Sequence, residues 1–245
     1  MRILVIGEIC EDIFIYGKSE RLSPEAPVPV FIPTETVYND GMAGNVVNNL
    51  KAIEKDVHID HWHQEEKILK TRFVDKTSNH MFIRVDEGEN NISPINNVYS
   101  NLNEISKYDI VVVSDYDKGF VTYEWLKMIG KVATISILDS KKKLTKEIIN
   151  SFTFVKLNEK EFKNNSEFKD CKNIITTLGS RGASYDGSIY ASPNPKETID
   201  VSGAGDTFTA AFILEYYKTK NVGSSIIYAN KMASIVVSKR GVVTP

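Results

Sequence analysis

The sequence has few cysteines and no long apolar run. Only two cysteines occur among its 245 residues, Cys10 and Cys171, and they are far apart and in no metal-binding spacing. This pattern predicts free thiols and a reducing cytoplasm, and it argues against a disulfide framework. No apolar run reaches the roughly 18 residues that a membrane span needs. The formal net charge of −2 gives no support for a nucleic-acid or membrane partner.

The composition that is present is typical of one globular domain. Apolar residues make up 42% and charged residues 25% of the chain, and the length suffices for a sizeable core. The segment Met1–Gly7 is an apolar run that ends at a glycine, which indicates a buried first strand instead of a signal peptide. We therefore expect a single domain over residues 1–245.

Strand-like and helix-like segments alternate along most of the chain. This order predicts an α/β fold with a central, mostly parallel sheet that is flanked by helices. The predicted strands cover 2–6, 109–114, 134–139, 152–156, 174–177 and 183–190, and the predicted helices cover 44–54, 122–131, 204–219 and 223–238.

Some β-rich segments do not fit this alternation. Residues 13–16, 28–32, 71–76 and 80–86 predict a small lid sheet contributed by about 13–36 and 70–86, with a hairpin at 77–79. The segment 57–69 is polar, has no clear period and contains His58, His61 and His63. These histidines could ligate zinc, but we expect a shortened connecting loop.

The run Gly203-Ala204-Gly205-Asp206 precedes the longest predicted helix. Small residues let the backbone approach a ligand closely, and a helix N-terminus attracts anions. Asp206 lies in the first turn, where a carboxylate could take the proton of an acceptor hydroxyl during phosphoryl transfer. An acidic helix cap after a tight turn would give the same residues, so the motif alone leaves both interpretations open.

The longer run from Asp200 to Ala210 resembles the C-terminal signature of the ribokinase-like (PfkB) carbohydrate kinases. The resemblance implies that Gly203, Ala204 and Gly205 form an anion hole and that Asp206 is the catalytic base. It also implies a ribokinase-like fold. The chain has no G-x-x-x-x-G-K-[ST] run, which excludes a Walker-type phosphate loop.

Other positions match the family in chain order. Gly41-Met42-Ala43-Gly44-Asn45 resembles its Gly-Gly-x-x-Asn turn, with Met42 in place of the second glycine. The resemblance implies sugar contacts for Asp12, Gly41 and Asn45, and a role for Glu161 on magnesium through water. It implies ATP contacts for Asn158, Thr177, Gly179, Gly182 and Asn230.

The string Arg21-Leu22-Ser23-Pro24-Glu25-Ala26-Pro27-Val28-Pro29-Val30 is similar to the heptose 7-phosphate kinase branch of this family. A sugar that already carries a phosphate needs cations, and Lys70, Arg72, Arg84 and Lys118 are candidates to bind it. The alternative is that these are exposed strand and loop charges. Lys141 is a further candidate for a nucleotide phosphate. We expect a kinase domain alone, without the nucleotidyltransferase domain that is fused to the kinase in many relatives.

These expectations combine into an ATP-dependent kinase that acts on a phosphorylated sugar at a hydroxyl, the anomeric one by preference. The alternatives are a related kinase for another sugar or a nucleoside, and a binding protein without turnover. The resemblance implies ATP and Mg²⁺ as cofactors, with a monovalent cation as a further candidate. Apolar lid residues such as Phe14, Phe82 and Ile83 predict a homodimer joined through the lid.

Overall fold

The computed structural model describes residues 1–95, 98–193, 201–239 and 241–245, with the side chains of 98–101 left out. Its strands are β1 (Arg2–Gly7), β2 (Ile9–Lys18), β3 (Ile32–Met42), β4 (His58–Trp62), β5 (Leu69–Asp75), β6 (Met81–Glu87), β7 (Ile110–Asp115), β8 (Ser136–Ser140), β9 (Phe154–Asn158), β10 (Ile174–Thr177), β11 (Ala183–Tyr185) and β12 (Ser188–Tyr190). Its α-helices are α1 (Ala43–Ile53), α2 (Val98–Ile105), α3 (Tyr123–Val132), α4 (Lys146–Ser151), α5 (Glu159–Asn164), α6 (Ala204–Thr219) and α7 (Val222–Val236).

The large sheet has eight strands in the order β12-β11-β10-β9-β8-β7-β1-β4. All pairs from β10 to β4 are parallel, and β11 and β12 add an antiparallel edge. The predicted fold class is therefore confirmed. None of the helices in the described ranges combines the length and apolar character needed to cross a bilayer.

Helices cover both faces of this sheet because successive apolar side chains of its strands point to opposite faces. In β1, Ile3 and Val5 join the cluster that packs against α1, α6 and α7. Leu4 and Ile6 join the opposite cluster, which includes Trp125 of α3. Burying apolar surface on both faces stabilises a parallel sheet and leaves its strand ends for polar residues.

The small sheet has the order β3-β2-β5-β6 and corresponds to the predicted lid. Strand β2 is antiparallel to β3 and parallel to β5, and β5 and β6 form the predicted hairpin. The prediction of a strand over 28–32 is wrong, since β3 begins only at Ile32. Residues 27, 29 and 33 are prolines, which cannot donate to a ladder.

The prediction of a connecting loop over 57–69 is also wrong. Residues His58–Trp62 form β4, which pairs in parallel with β1 at the edge of the large sheet. Its two large apolar residues, Ile59 and Trp62, pack on opposite faces of the sheet. Because β4 has one apolar contact on each face, its sequence shows no regular alternation of apolar and polar residues, and the pattern did not predict a strand. The short helices α2, α4 and α5 were not predicted either.

Candidate active site

The carboxyl ends of the parallel strands and the start of α6 meet at one edge of the large sheet. Gly203 precedes α6 with a left-handed φ of 77°. A Cβ at this position would lie 2.6 Å from Nδ2 of Asn45, so the turn requires glycine for conformation and for space. The turn places Asp206 in the first turn of the helix.

Asp206 is buried, with 6% of its surface exposed. Its Oδ2 accepts a hydrogen bond from Nδ2 of Asn45 at 2.8 Å, and its Oδ1 accepts one from the hydroxyl of Tyr116 at 3.1 Å. Burial raises the pKa of Asp206 to about 6, and the charge of Asp139 adds to the rise, while the two hydrogen bonds and Lys156 oppose it. A carboxylate with such a pKa is ionised at neutral pH and can accept a proton.

A buried ion pair lies behind the glycine turn. Nζ of Lys156 is 2.6 Å from Oδ2 of Asp139, and the lysine is 4% exposed. The same ammonium would be 3.2 Å from a Cβ on Gly205, so it reaches the turn itself. Oδ1 of Asp139 is buried and has no hydrogen-bond partner among the described residues. Lys156 was not predicted, although a lysine inside the apolar strand β9 is an unusual feature of the sequence.

A cavity of about 630 Å³ opens beside this turn. All five residues with predicted ATP contacts line it, together with the glycine turn and Asp206; the five are Asn158, Thr177, Gly179, Gly182 and Asn230. Lys141 and Lys156 also line it and supply positive charge. The cavity therefore combines apolar walls with the cations that an anionic nucleotide requires.

Glu161, the predicted magnesium residue, stands behind this cavity and does not line it. Its Oε2 accepts from the backbone N–H of Asn158 at 2.7 Å, and the Asn158 side chain accepts from the N–H of Glu161 in return, which forms a capping box at α5. Its Oε1 accepts from Nζ of Lys141. Lys141 thus connects Glu161 to the cavity.

The inner face of the lid lies beyond Tyr116, whose hydroxyl contacts Asp206 and whose ring faces Lys70 of β5. The strand register places Asp12 beside Lys70, and Arg72 beside Arg84. A Cβ on Gly41 would lie 2.2 Å from Oδ2 of Asp12, so glycine gives this carboxylate its space. The structure therefore groups the predicted sugar contacts with the predicted phosphate contacts.

Each predicted phosphate-binding cation has an acidic partner. Arg72 contacts Asp12. Arg84 donates from Nε and Nη2 to the two carboxylate oxygens of Asp86, both at 2.7 Å. Two lysines share Glu89: Nζ of Lys70 lies 3.1 Å from its Oε1, and Nζ of Lys118 contacts its Oε2. Asp86 and Glu89 were not among the predicted site residues, because their pairing depends on how the lid folds.

The loop after β7 connects lid and cavity. Glu8, between β1 and β2, is fully buried and accepts from the backbone N–H groups of Tyr116, Lys118 and Phe120 at 2.8, 3.1 and 3.2 Å. Burial and the charge of Asp115 raise the pKa of Glu8, and the backbone hydrogen bonds oppose that rise. Sequence reasoning named Lys118 in this loop but missed Tyr116, which contacts Asp206.

The comparisons with known sequences agree on a family of kinases. A profile described as "pfkB family carbohydrate kinase" matches residues 48–245. A protein called "Bifunctional protein HldE" from a Nitratiruptor species is 32% identical over an alignment of 293 positions, which covers 99% of this chain and 63% of that protein. The protein of the same name from Helicobacter pylori is 30% identical over an alignment of 296 positions, which covers 98% of this chain and 63% of that protein. The chain thus spans a little under two thirds of the length of these relatives.

Solved structures share the fold. A ribokinase from Arabidopsis thaliana complexed with ribose and ATP has a TM-score of 0.72 at 17% identity, covering 98% of this chain and 93% of that one. A ribokinase from Thermotoga maritima has a TM-score of 0.74 at 19% identity, covering 98% and 94%. Phosphofructokinase-2 from Escherichia coli in complex with potassium has a TM-score of 0.74 at 15% identity, covering 99% and 94%.

Proposed function

Because the chain belongs to the pfkB family of carbohydrate kinases, we propose that it transfers the γ-phosphoryl group of ATP to a hydroxyl of a phosphorylated sugar. The observation that carries this proposal is the position of Asp206. The carboxylate lies at the N-terminus of α6, with the cavity on one side and the charged lid face on the other. An acceptor hydroxyl between lid and helix would meet the base and the phosphoryl donor together.

The proposed roles follow from this geometry. Asp206 takes the proton of the acceptor hydroxyl as the hydroxyl oxygen bonds to the γ-phosphorus, and the bond from that phosphorus to the bridging oxygen of ADP breaks. Gly203, Ala204 and Gly205 form the proposed anion hole at the positive helix end, where the N–H of Ala204 donates to the carbonyl of Val201 at 3.3 Å and would turn to the transferred group. Lys156 supplies a buried positive charge beside them.

The proposed acceptor is a sugar phosphate such as heptose 7-phosphate, with the anomeric hydroxyl as the proposed nucleophile. The HldE relatives support this branch of the family. The lid supports it physically, since it and the adjoining loop group four cations with three carboxylate partners, Asp12, Asp86 and Glu89; the cations are Lys70, Arg72, Arg84 and Lys118. We infer that Asp12, Gly41 and Asn45 contact the sugar and that these cations contact its phosphate.

Magnesium is proposed as the cofactor that accompanies ATP. The donor set fits a hydrated hard cation, because Oδ1 of Asp139 is an unpartnered buried carboxylate oxygen among the described residues and Glu161 is a second carboxylate close by. These groups would accept hydrogen bonds from the ion's waters, and the ion would neutralise charge on the ATP phosphates. A monovalent cation stays a prediction, motivated by the potassium complex of a structural neighbour.

ATP consumption with a panel of acceptors tests the proposal. The panel contains D-glycero-D-manno-heptose 7-phosphate, the unphosphorylated heptose, fructose 6-phosphate, ribose and a nucleoside. We expect the heptose phosphate to have the highest kcat/KM, and loss of its phosphate to lower kcat as well as affinity, because remote binding energy acts at the reacting centre. Equal rates on heptose and heptose 7-phosphate would contradict the phosphorylated acceptor. ATP binding without turnover of any acceptor would favour the binding protein.

We also propose a homodimer in which two lids pack through their outer faces. On that face the register aligns Tyr38, Ile13, Thr71 and Val85 in one row across the sheet. Tyr38 is 62% exposed and Ile83, in the next row, is 56% exposed. Phe14, in contrast, is buried on the inner face against Val74 and Val242. A sheet face with this much exposed apolar surface is typical of an interface.

The proposed compartment is the cytoplasm. Both cysteines are free thiols in the structure, and Cys10 lies buried next to the proposed sugar contacts. The domain organisation is likewise proposed, as one kinase domain over residues 1–245 with the lid contributed by about 13–36 and 70–86.

A further inference from the structure

Tyr116 stands at the boundary between the cavity and the lid. Its hydroxyl donates to Oδ1 of Asp206 at 3.1 Å, whereas Asn45 donates to the other oxygen. Its side chain lines the nucleotide cavity and also packs beside Cys10 and Met42, which lie at the base of the lid. This one side chain therefore contacts the proposed base and both halves of the site.

The ring of Tyr116 also faces one cation from each half. Nζ of Lys70, on lid strand β5, is 5.8 Å from the ring centroid. Nζ of Lys141, which lines the cavity, is 5.5 Å from it. Both distances fall within the roughly 6 Å over which an aromatic face attracts a cation. The ring thus has favourable contacts that hold it in place on the acceptor side and on the nucleotide side.

The backbone of Tyr116 is fixed independently of its ring. Its N–H donates to the buried carboxylate of Glu8 at 2.8 Å, and Glu8 binds two further N–H groups of the same loop. Burial and the charge of Asp206 hold the pKa of Tyr116 well above its ordinary value of 10. The phenol is therefore protonated at neutral pH and acts as a donor to Asp206.

We propose that Tyr116 is a positioning residue that fixes Oδ1 of Asp206, so that the remaining lone pairs of the carboxylate face the acceptor hydroxyl. This inference rests on the proposed role of Asp206 as the base. In the transfer step the acceptor's proton passes to Asp206, and Tyr116 keeps its own proton throughout. Without the phenol, one carboxylate oxygen loses its donor and the carboxylate can rotate away from the acceptor.

Several charged groups face Asp206 besides Tyr116. Asp139 of β8 raises the pKa of Asp206 and Lys156 of β9 lowers it. Lys141, after β8, and Cys10 of β2 interact with the same carboxylate. None of these groups is changed when only the phenol is removed. Since a hydrogen bond to the ionised form favours ionisation, removal of the Tyr116 hydroxyl should raise the pKa of Asp206.

The test is Tyr116→Phe, which keeps the ring and removes the hydroxyl. With ATP and D-glycero-D-manno-heptose 7-phosphate we expect kcat to fall about tenfold, the usual order for one hydrogen bond to a charged group. The KM for ATP should change little, and the acidic limb of the kcat/KM profile should move to higher pH. Tyr123→Phe is the matched control, because that hydroxyl donates to the backbone oxygen of Lys143 on the surface.

A second variant strengthens the hydrogen bond from Tyr116 to Asp206 instead of removing it. Replacing Tyr116 by 3-fluorotyrosine makes the phenol a stronger donor, so the acidic limb should move to lower pH. Carboxyl NMR titration of Asp206 in both variants gives the pKa shift without turnover, and thermal unfolding checks the fold. Unchanged kcat and pKa in the Tyr116→Phe variant would overturn the inference. If the Asp206→Asn variant retained its kcat, the proposed role of Asp206 as the base would be wrong. That result tests the proposed function and is separate from the result for Tyr116.

Discussion

Nδ2 of Asn45 lies 2.8 Å from Oδ2 of Asp206, and this hydrogen bond joins the first turns of α1 and α6 across 161 positions of the chain. Asn45 follows directly on lid strand β3, which ends at Met42 with a φ of 56°. The short segment from Met42 to Asn45 therefore links the position of the lid to the orientation of the Asp206 carboxylate. Met42 occupies a left-handed conformation that glycine adopts more readily, so this link includes a strained residue.

The first prediction concerns the carboxylate at the end of this link. Asp206→Asn should lower kcat by about 10²–10⁴, since an amide cannot take the acceptor's proton. ATP affinity should change little, because the glycine turn and the cavity walls remain. The measurement is steady-state kinetics together with ATP binding. The control is Asp170→Asn, an exposed residue on another surface. A variant that kept most of its kcat would remove Asp206 from the role of base.

The second prediction concerns the pH dependence of the unmodified protein. Asp206 must be ionised to accept a proton, and burial raises its pKa to about 6. The value of kcat/KM should therefore rise with pH through about pH 6 and level off above it, as the carboxyl loses its proton. An ordinary aspartate, with a pKa of about 3.9, would give no such limb near pH 6. Kinetics between about pH 5 and 8 are read beside a carboxyl NMR titration of Asp206, because the phosphate of the acceptor also titrates at about pH 6 and only the titration assigns the limb to Asp206.

The third prediction concerns magnesium. Glu161→Gln should raise the magnesium concentration needed for half-maximal rate, and excess magnesium should partly restore kcat, since the ion's waters lose a charged acceptor. Glutamine preserves the capping box of α5, so the helix should remain intact. Glu147→Gln is the control, because Glu147 of α4 pairs with Lys127 and Lys131 and does not line the cavity. A change in the sugar KM alone would place Glu161 outside the metal's surroundings.

The fourth prediction concerns Glu89, whose carboxylate lies between Lys70 and Lys118. A substrate phosphate at these lysines would meet the negative charge of Glu89. Glu89→Gln should therefore lower the KM for the sugar phosphate by roughly tenfold, equivalent to about 1.4 kcal/mol, and leave the unphosphorylated sugar unaffected. Glu87→Gln, an exposed change at the end of β6 two residues before Glu89, should leave the KM values for both sugars unchanged. A higher KM for the sugar phosphate would mean that Glu89 is needed to orient the lysines.

Sequence reasoning located the features that depend on neighbouring residues. The run around Gly203 predicted the start of α6, and the helix extends over Ala204–Thr219 as expected. Apart from β4, the strands of the large sheet followed from the sequence pattern, and the family resemblance is confirmed by the matching profile. These features are encoded within short segments, where backbone conformation and side-chain periodicity are enough.

The parts that were missed depend on residues far apart in the chain. Glu8 binds a loop more than 100 positions away, and Tyr116 reaches Asp206 across 90 positions. Glu89 acquires its role only when the hairpin of β5 and β6 brings it near Lys70 and the loop after β7 brings Lys118 to its other oxygen. No local pattern contains such pairings, since an isolated glutamate or tyrosine in a polar loop is ordinarily a surface residue.

The last prediction concerns the dimer proposed through the lids, which Ile83→Asp should disrupt. Ile83 is 56% exposed on the outer face of β6, so an aspartate would place an unpaired charge in the proposed interface. Phe82 is less suitable, because its ring packs on Phe31 and His80 within the lid and its loss would disturb the lid itself. Light scattering at micromolar concentration should give a dimer mass for the unmodified protein and a monomer mass for the variant.

The matched control is Ile189→Asp, since Ile189 is 66% exposed on β12, a strand of the large sheet. An aspartate there adds the same charge without touching the lid, so the dimer should persist. The alternative is a monomer in which the lid packs against its own domain. The contact of Phe14 and Val74 with Val242 is packing of that kind. That contact uses the inner face, however, and leaves Tyr38, Ile83 and Val85 exposed. A monomeric mass that stays unchanged with ATP and sugar phosphate present would exclude the dimer, and these three side chains would then be exposed without a partner.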